Sequence, residues 1–153
     1  MSYEIQVKEV PDVLVASVRR RASMATVGKE TPEAFLELME AVGPVGYGEG
    51  MPGVVYLGEV APDTDWDMEI FMPVRERFDP PAGMDVRILA GTRCASTIHR
   101  GPYGELGAAH DALRAWIGSQ GHQIAGPPRE LYLNDPNEVG QEQALTEILF
   151  PIR

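Results

Sequence analysis

Apolar and polar residues alternate from the start of the chain: Tyr3, Ile5 and Val7 are separated by Glu4, Gln6 and Lys8. That period sends successive side chains to opposite faces and predicts a half-buried strand. Pro11-Asp12 breaks it as a turn, and the β-branched run Val13 to Val18 predicts a second strand continuing towards Arg21. The period then changes. Thr31-Pro32 supplies a hydroxyl cap and a proline at the first helical position, and Phe35, Leu38, Met39 and Val42 follow on one helical face. Gly43-Pro44 predicts the end of that helix. Residues 43–53 are rich in glycine and proline and read as a loop. Val54 to Val60 then reads as a strand, Pro62 to Asp65 as a polar turn, and Trp66 to Arg75 as a strand with Glu69 inside it.

After a proline-rich connector at Arg77–Gly83 the pattern starts again. Val86-Arg87-Ile88-Leu89 echoes Val7-Lys8-Glu9-Val10, and Cys94-Ala95-Ser96-Thr97 echoes Val15-Ala16-Ser17-Val18. Leu113, Trp116, Ile117 and Gly121 echo Phe35, Leu38, Met39 and Gly43. Leu131-Tyr132-Leu133 echoes Val55-Tyr56-Leu57, and Glu147 to Arg153 echoes Glu69 to Arg75. The offset stays between roughly 76 and 79 residues in every echo, so no large insertion separates the copies. The expectation is an α+β fold over residues 1–153, a tandem repeat of ββαββ units related by a pseudo-two-fold axis. The halves fall at about 1–76 and 84–153, each with antiparallel strands and one main helix. Their open faces would border a shared groove, a common place for a small-molecule site.

Within this frame one stretch stands apart, Arg129-Glu130-Leu131-Tyr132-Leu133-Asn134-Asp135-Pro136. It reads as a strand running into a turn, with Leu131 and Leu133 on one face and Glu130 and Tyr132 on the other. A strand in a hydrophobic domain rarely spends an inward position on a carboxylate without a partner. A ligand is the expected partner.

Charge narrows the classes. The formal net charge is −10, which disfavours nucleic acid or anionic lipid as a partner of the whole surface. The single cysteine, Cys94, offers neither a disulfide framework nor a cysteine-rich metal site, and reads as inert strand packing. Met1-Ser2-Tyr3-Glu4 lacks a basic or apolar leader, and no apolar run approaches the length of a membrane span. The cytoplasm is the expected location. His99, His110 and His122 match no metal-ligand spacing, so no metal and no cofactor are expected. His99 closes a strand near the predicted chemistry, whereas His110 on the helix and His122 after its glycine cap are expected to be exposed. No serine sits in a Gly-x-Ser-x-Gly elbow. Gly46 to Gly50 precedes a strand, not a helix, and so is no phosphate loop. Arg19-Arg20-Arg21 reads as a solvated strand end.

Four segments together resemble the GyrI-like family, the bacterial transcription-activator effector-binding domains: Thr97-Ile98-His99-Arg100-Gly101-Pro102-Tyr103, the helix ending Trp116-Ile117, Glu130 to Pro136, and Thr146 to Ile152. The resemblance covers nearly the whole chain. It implies two similar β-rich halves around a central cleft for hydrophobic, often cationic, aromatic molecules, with an acidic residue at its floor. Glu130 matches that residue. Residues 1–20 already belong to the repeat, so the resemblance points to a stand-alone member without a helix-turn-helix. Such members are suggested to bind or sequester drugs and other xenobiotics. One lineage is said to inhibit DNA gyrase, and another resembles hydrolases that open cyclopropane-bearing natural products.

A flat organic cation needs apolar walls, a countercharge and aromatic faces. Glu130 would supply the charge, with Tyr132, Tyr56 and Trp66 as walls; Trp66, after a loop, is expected to be exposed at the rim. Met68 and Met72 would make the walls adaptable. Glu69 would be a second acid near the groove, and His99 a further polar group. The leading expectation is therefore a non-enzymatic binding protein. The alternatives are a hydrolase in which Glu130 activates water, and a protein partner such as gyrase engaged through the acidic surface.

Overall fold

The computed structural model describes residues 3–153; Met1 and Ser2, part of the segment read for a leader, lie outside the described residues. The order of elements is β1 (Gln6–Val10), β2 (Val13–Ala22), α1 (Val27–Val42), β3 (Gly53–Tyr56), β4 (Trp66–Pro73), β5 (Met84–Leu89) and β6 (Thr92–Arg100). A 3-10 turn at Tyr103–Glu105 leads into α2 (Leu106–Ser119), followed by β7 (Arg129–Tyr132), the short α3 (Pro136–Val139) and β8 (Leu145–Pro151). The strands pair antiparallel, so the class is α+β as the periodicity predicts.

The chain divides into two compact units, Asp12–Ala90 on the one hand and Met1–Pro11 with Gly91–Arg153 on the other. They are not the contiguous halves expected from the echoes. β1 pairs with β6 (Val7 opposite Ala95), and β5 pairs with β2 (Ala16 opposite Val86). Each first strand thus completes the sheet of the other copy's strands. Periodicity marks which face of a strand is apolar; it carries no information about which neighbouring edge that strand takes.

In the Asp12–Ala90 unit the strand order is β5-β2-β4-β3, and α1 packs on β2 and β4. The helix buries Ala34, Leu38 and Val42, spaced by one turn each. It starts four residues before the predicted Thr31. The Ser23 carbonyl accepts the N–H of Thr26 (3.1 Å) and of Val27 (2.9 Å), which winds a first turn ahead of Pro32. Pro32 therefore lies inside the helix, where its missing N–H forfeits one backbone bond. Of the predicted stripe Leu38 and Val42 are buried, but Ala34 takes the place of Phe35, which is half-buried on its flank, and Met39 faces solvent. β3 ends at Tyr56, short of the predicted Val60.

The other unit has the order β1-β6-β8-β7. Its helix α2 buries Leu106, Ala109, Leu113 and Ile117 against Ala95 of β6 and Ile148 and Phe150 of β8. Each large aliphatic side chain so placed contributes about 1.5–3 kcal/mol. Trp116 is partly buried at the edge of this core. No helix among the described residues is long and apolar enough to cross a membrane.

Candidate functional site

β7 carries the centre of the site. Glu130 lies opposite Ile148, which belongs to the core under α2, so the Glu130 carboxylate points to the helix-covered face. It is 3% exposed. The imidazole of His110, the residue after buried Ala109 on α2, donates from Nε2 to Glu130 Oε2 at 2.7 Å. Tyr132, two residues along the same face, donates its hydroxyl to Glu130 Oε1 at 3.0 Å. The strand stops just beyond. Asn134 Oδ1 accepts the Leu145 N–H at 2.9 Å, and Asp135 caps α3 by accepting the Asn137 N–H. Tyr103, in the 3-10 turn, packs its ring on Tyr132 with centroids 5.4 Å apart and planes tilted by 54°. It is 43% exposed and forms the solvent side of the cluster. Burial pushes its phenol above the usual range, with Asp135 and Glu130 adding to the effect, so it stays neutral at ordinary pH.

The same face extends towards His99. This residue is buried on β6, and its Nδ1 is hydrogen-bonded to Tyr3 Oη at 2.9 Å. His99 opposes Thr146 on β8, and Thr146 opposes Tyr132 on β7, so the three form a row across the strands. Among the described residues, His99 Nε2 and Thr146 Oγ1 have no hydrogen-bond partner. An unsatisfied buried polar atom costs about 1–3 kcal/mol, which makes two in one row unusual.

The remaining predicted residues belong to the Asp12–Ala90 unit. Trp66, Met68 and Met72 of β4 and Tyr56 of β3 share the face that α1 covers, Tyr56 lying opposite Met68. Met68 and Met72 are core residues, and Thr31 Oγ1 sits 3.9 Å from the Met68 sulfur. The expected exposed Trp66 is corrected: it is 2% exposed, because its position on β4 has the same parity as Met68 and Ile70. Glu69 is on the opposite face. It accepts hydrogen bonds from Ser17 Oγ at 2.7 Å and from Arg87 Nε at 2.9 Å, with a second contact to the Arg87 guanidinium. Burial alone would raise its carboxyl; the hydrogen bonds from Arg87 and Ser17 and the charges of Arg87 and Arg19 outweigh it and hold Glu69 below the usual carboxylate range. Glu147 repeats the device in the other unit, accepting from Ser96 Oγ at 2.6 Å and pairing with Lys8.

A cleft of about 710 Å³ runs along residues 3–6 and Ser96, Thr97, Ile98 and Arg100; Glu130 does not line it. The space over the Glu130 carboxylate is taken by His110 and Tyr132. His110 was expected to be exposed, yet its side chain is 13% exposed and holds Glu130. The signal was present, since His110 is four residues after Leu106 and three before Leu113, on the flank of the buried stripe. Tyr103 closes the Thr97–Tyr103 segment, but only the fold shows that it meets Tyr132. Of the other expectations, His122 is half-buried and stacked on Trp116, and Cys94 is buried within β6. In the arginine run Arg19 and Arg21 are exposed, as a solvated strand end predicts, while Arg20 pairs with Glu30 and Glu37 of α1 and Arg21 with Asp65 and Asp67. Among the described residues no cluster of three or more His, Cys, Asp or Glu is placed to hold a metal ion.

A model of the GyrI-like small molecule binding domain matches residues 3–153. The chain belongs to that family. Solved structures share the GyrI-like fold. The C-terminal domain of EcmrR has a TM-score of 0.89 at 23% identity over 100% of this chain and 99% of that one. The chain spans 57% of the full EcmrR chain seen in its DNA complex. A hydrolase from Listeria innocua gives 0.70 at 14% identity over 98% of this chain and 92% of that one. SAV2435 bound to tetraphenylphosphonium gives 0.69 at 15% identity over 100% and 94%. No curated protein sequence matches the chain. At these identities the likeness speaks for the GyrI-like fold, and the chemistry rests on the residues above.

Proposed function

We propose that this GyrI-like domain binds hydrophobic aromatic cations, with Glu130 as the charge anchor and Tyr132 and Tyr103 as aromatic walls. The observation that carries this reading is a carboxylate 3% exposed, held by an imidazole and a phenol beneath a tyrosine pair. A buried carboxylate interacts more strongly with a cation than one in water, and each aromatic face adds roughly 0.5–2 kcal/mol. His99 Nε2 and Thr146 Oγ1 offer hydrogen-bonding atoms to a polar substituent of the ligand. Met68, Met72, Trp66 and Tyr56 serve the α1-covered face of their own unit as packing, and Glu69 acts within its pair with Arg87. That SAV2435, of similar fold, is bound to tetraphenylphosphonium supports the same ligand class here.

Hydrolysis ranks second. Both Glu130 oxygens already accept hydrogen bonds, which leaves less of the carboxylate to activate a water. Titration of the purified protein with tetraphenylphosphonium by calorimetry tests the binding role. Binding is expected, and Glu130→Gln is expected to weaken it by roughly 1–3 kcal/mol, about five- to 150-fold. Equal affinity in the variant would remove Glu130 from the role.

A further inference from the structure

We propose that His110 is a built-in competitor for Glu130, so that an aromatic cation enters the site in exchange for a proton. This exchange rests on the binding role of Glu130 stated above. The His110 imidazole lies 2.7 Å from Glu130 Oε2, and the two side chains are 13% and 4% exposed. A ligand cation reaches that oxygen only by taking the imidazole's place. Charge makes the replacement selective. When His110 carries its proton, Glu130 already has a counter-ion. Bringing a second positive charge beside the first is costly at the effective dielectric of a protein site, well below that of water. An imidazole, unlike a guanidinium, has a neutral form, so shedding one proton is the low-cost way to admit the ligand. The balance is simple. One cation comes in, one proton leaves His110 for solvent, Glu130 stays a carboxylate, and the charge of the site is unchanged.

The surrounding groups do not offer an equivalent proton. On α2, Arg114 places its guanidinium 5.3 Å from the centroid of the Phe150 ring, which His110 contacts edge-on from 5.7 Å. A guanidinium does not titrate near neutrality. From β7 and the 3-10 turn come the phenols of Tyr132 and Tyr103, and Asp135 lies close enough to act on Tyr103. β8 contributes the Phe150 ring. His99 is on the same face but two strands away from Tyr132, opposite Thr146.

The test is calorimetric titration with the phosphonium probe, whose charge is fixed, at pH 5.5 and 7.5 in two buffers of different ionisation enthalpy. Affinity is expected to be higher at pH 7.5 than at pH 5.5, with protons released on binding at pH 5.5. His110→Gln keeps a neutral donor beside Glu130 and is expected to abolish both effects. Equal affinity at the two pH values in the native protein overturns the exchange while leaving the binding role intact. So does a pH dependence that His110→Gln retains, because it assigns the proton to another group. No binding at either pH by a chain whose circular dichroism shows it folded overturns both.

Discussion

On β3 of the Asp12–Ala90 unit, the residue opposite Ile70 is Val54, fully buried. On β7 of the other unit, the residue opposite Ile148 is Glu130. Around these two positions the units follow one plan. Both sheets have the same order of strands, and both helices bury an alanine and two large aliphatics one turn apart, Ala34-Leu38-Val42 and Ala109-Leu113-Ile117. The residue after that alanine is Phe35 in one and His110 in the other. Even the buried carboxylates on the far faces correspond. Ser17 opposes Phe71, two residues beyond Glu69, and Ser96 opposes Leu149, two residues beyond Glu147. Arg87 opposes Val15 and Lys8 opposes Cys94, each two residues before its serine. The plan thus needs a glutamate where serine and a cation meet it. It has no need of one at position 130, since valine fills that place in the sister sheet. A charge that the scaffold can do without, kept at the expense of desolvation, points to use and not to stability.

The largest expected effect separates the two far-face pairs. Arg87 grips Glu69 through two nitrogens, whereas Lys8 holds Glu147 through one. Arg87→Met is expected to destabilise by about 2–3 kcal/mol, below the usual cost of breaking a buried pair because the Arg87 side chain is 40% exposed and partly screened. Lys8→Met is expected to cost about 1 kcal/mol. Chemical denaturation compares them; a reversed order would undo the reading that the second nitrogen matters.

A smaller effect is expected from making the units alike. The double variant His110→Phe with Glu130→Val gives this unit the apolar pair of its sister. Replacing a buried ion pair by apolar groups is often neutral or stabilising, against about 1 kcal/mol for the Tyr132 hydroxyl left without its acceptor. Stability within about 1 kcal/mol of the native protein, together with lost phosphonium binding, is the expected outcome. A collapse of stability would show that the charge pair serves the fold.

The smallest effect lies in the acid limb. Folding depresses the Glu69 carboxyl, so its contribution is complete above the ordinary carboxylate pKa of about 4.3 and is lost as pH falls through the lower folded value. Denaturation midpoints followed from pH 5 to 2 should fall less steeply for Glu69→Gln than for the native protein. Parallel curves would remove Glu69 from the acid response.

The sequence by itself determined the class of the fold, the order of the eight strands and two main helices, and the parity that puts Glu130 and Tyr132 on one face. Those features follow from local periodicity, because a side chain's direction along a strand or helix depends only on its neighbours in the chain. Tertiary structure decided what meets Glu130. His110 lies twenty residues upstream on another element, and only the docking of α2 onto its sheet brings the imidazole to the carboxylate. The same holds for β1 and β5, whose partners lie across the chain. Contacts between distant segments are set by which apolar faces pack together, and that is a property of the whole fold, not of any one stretch.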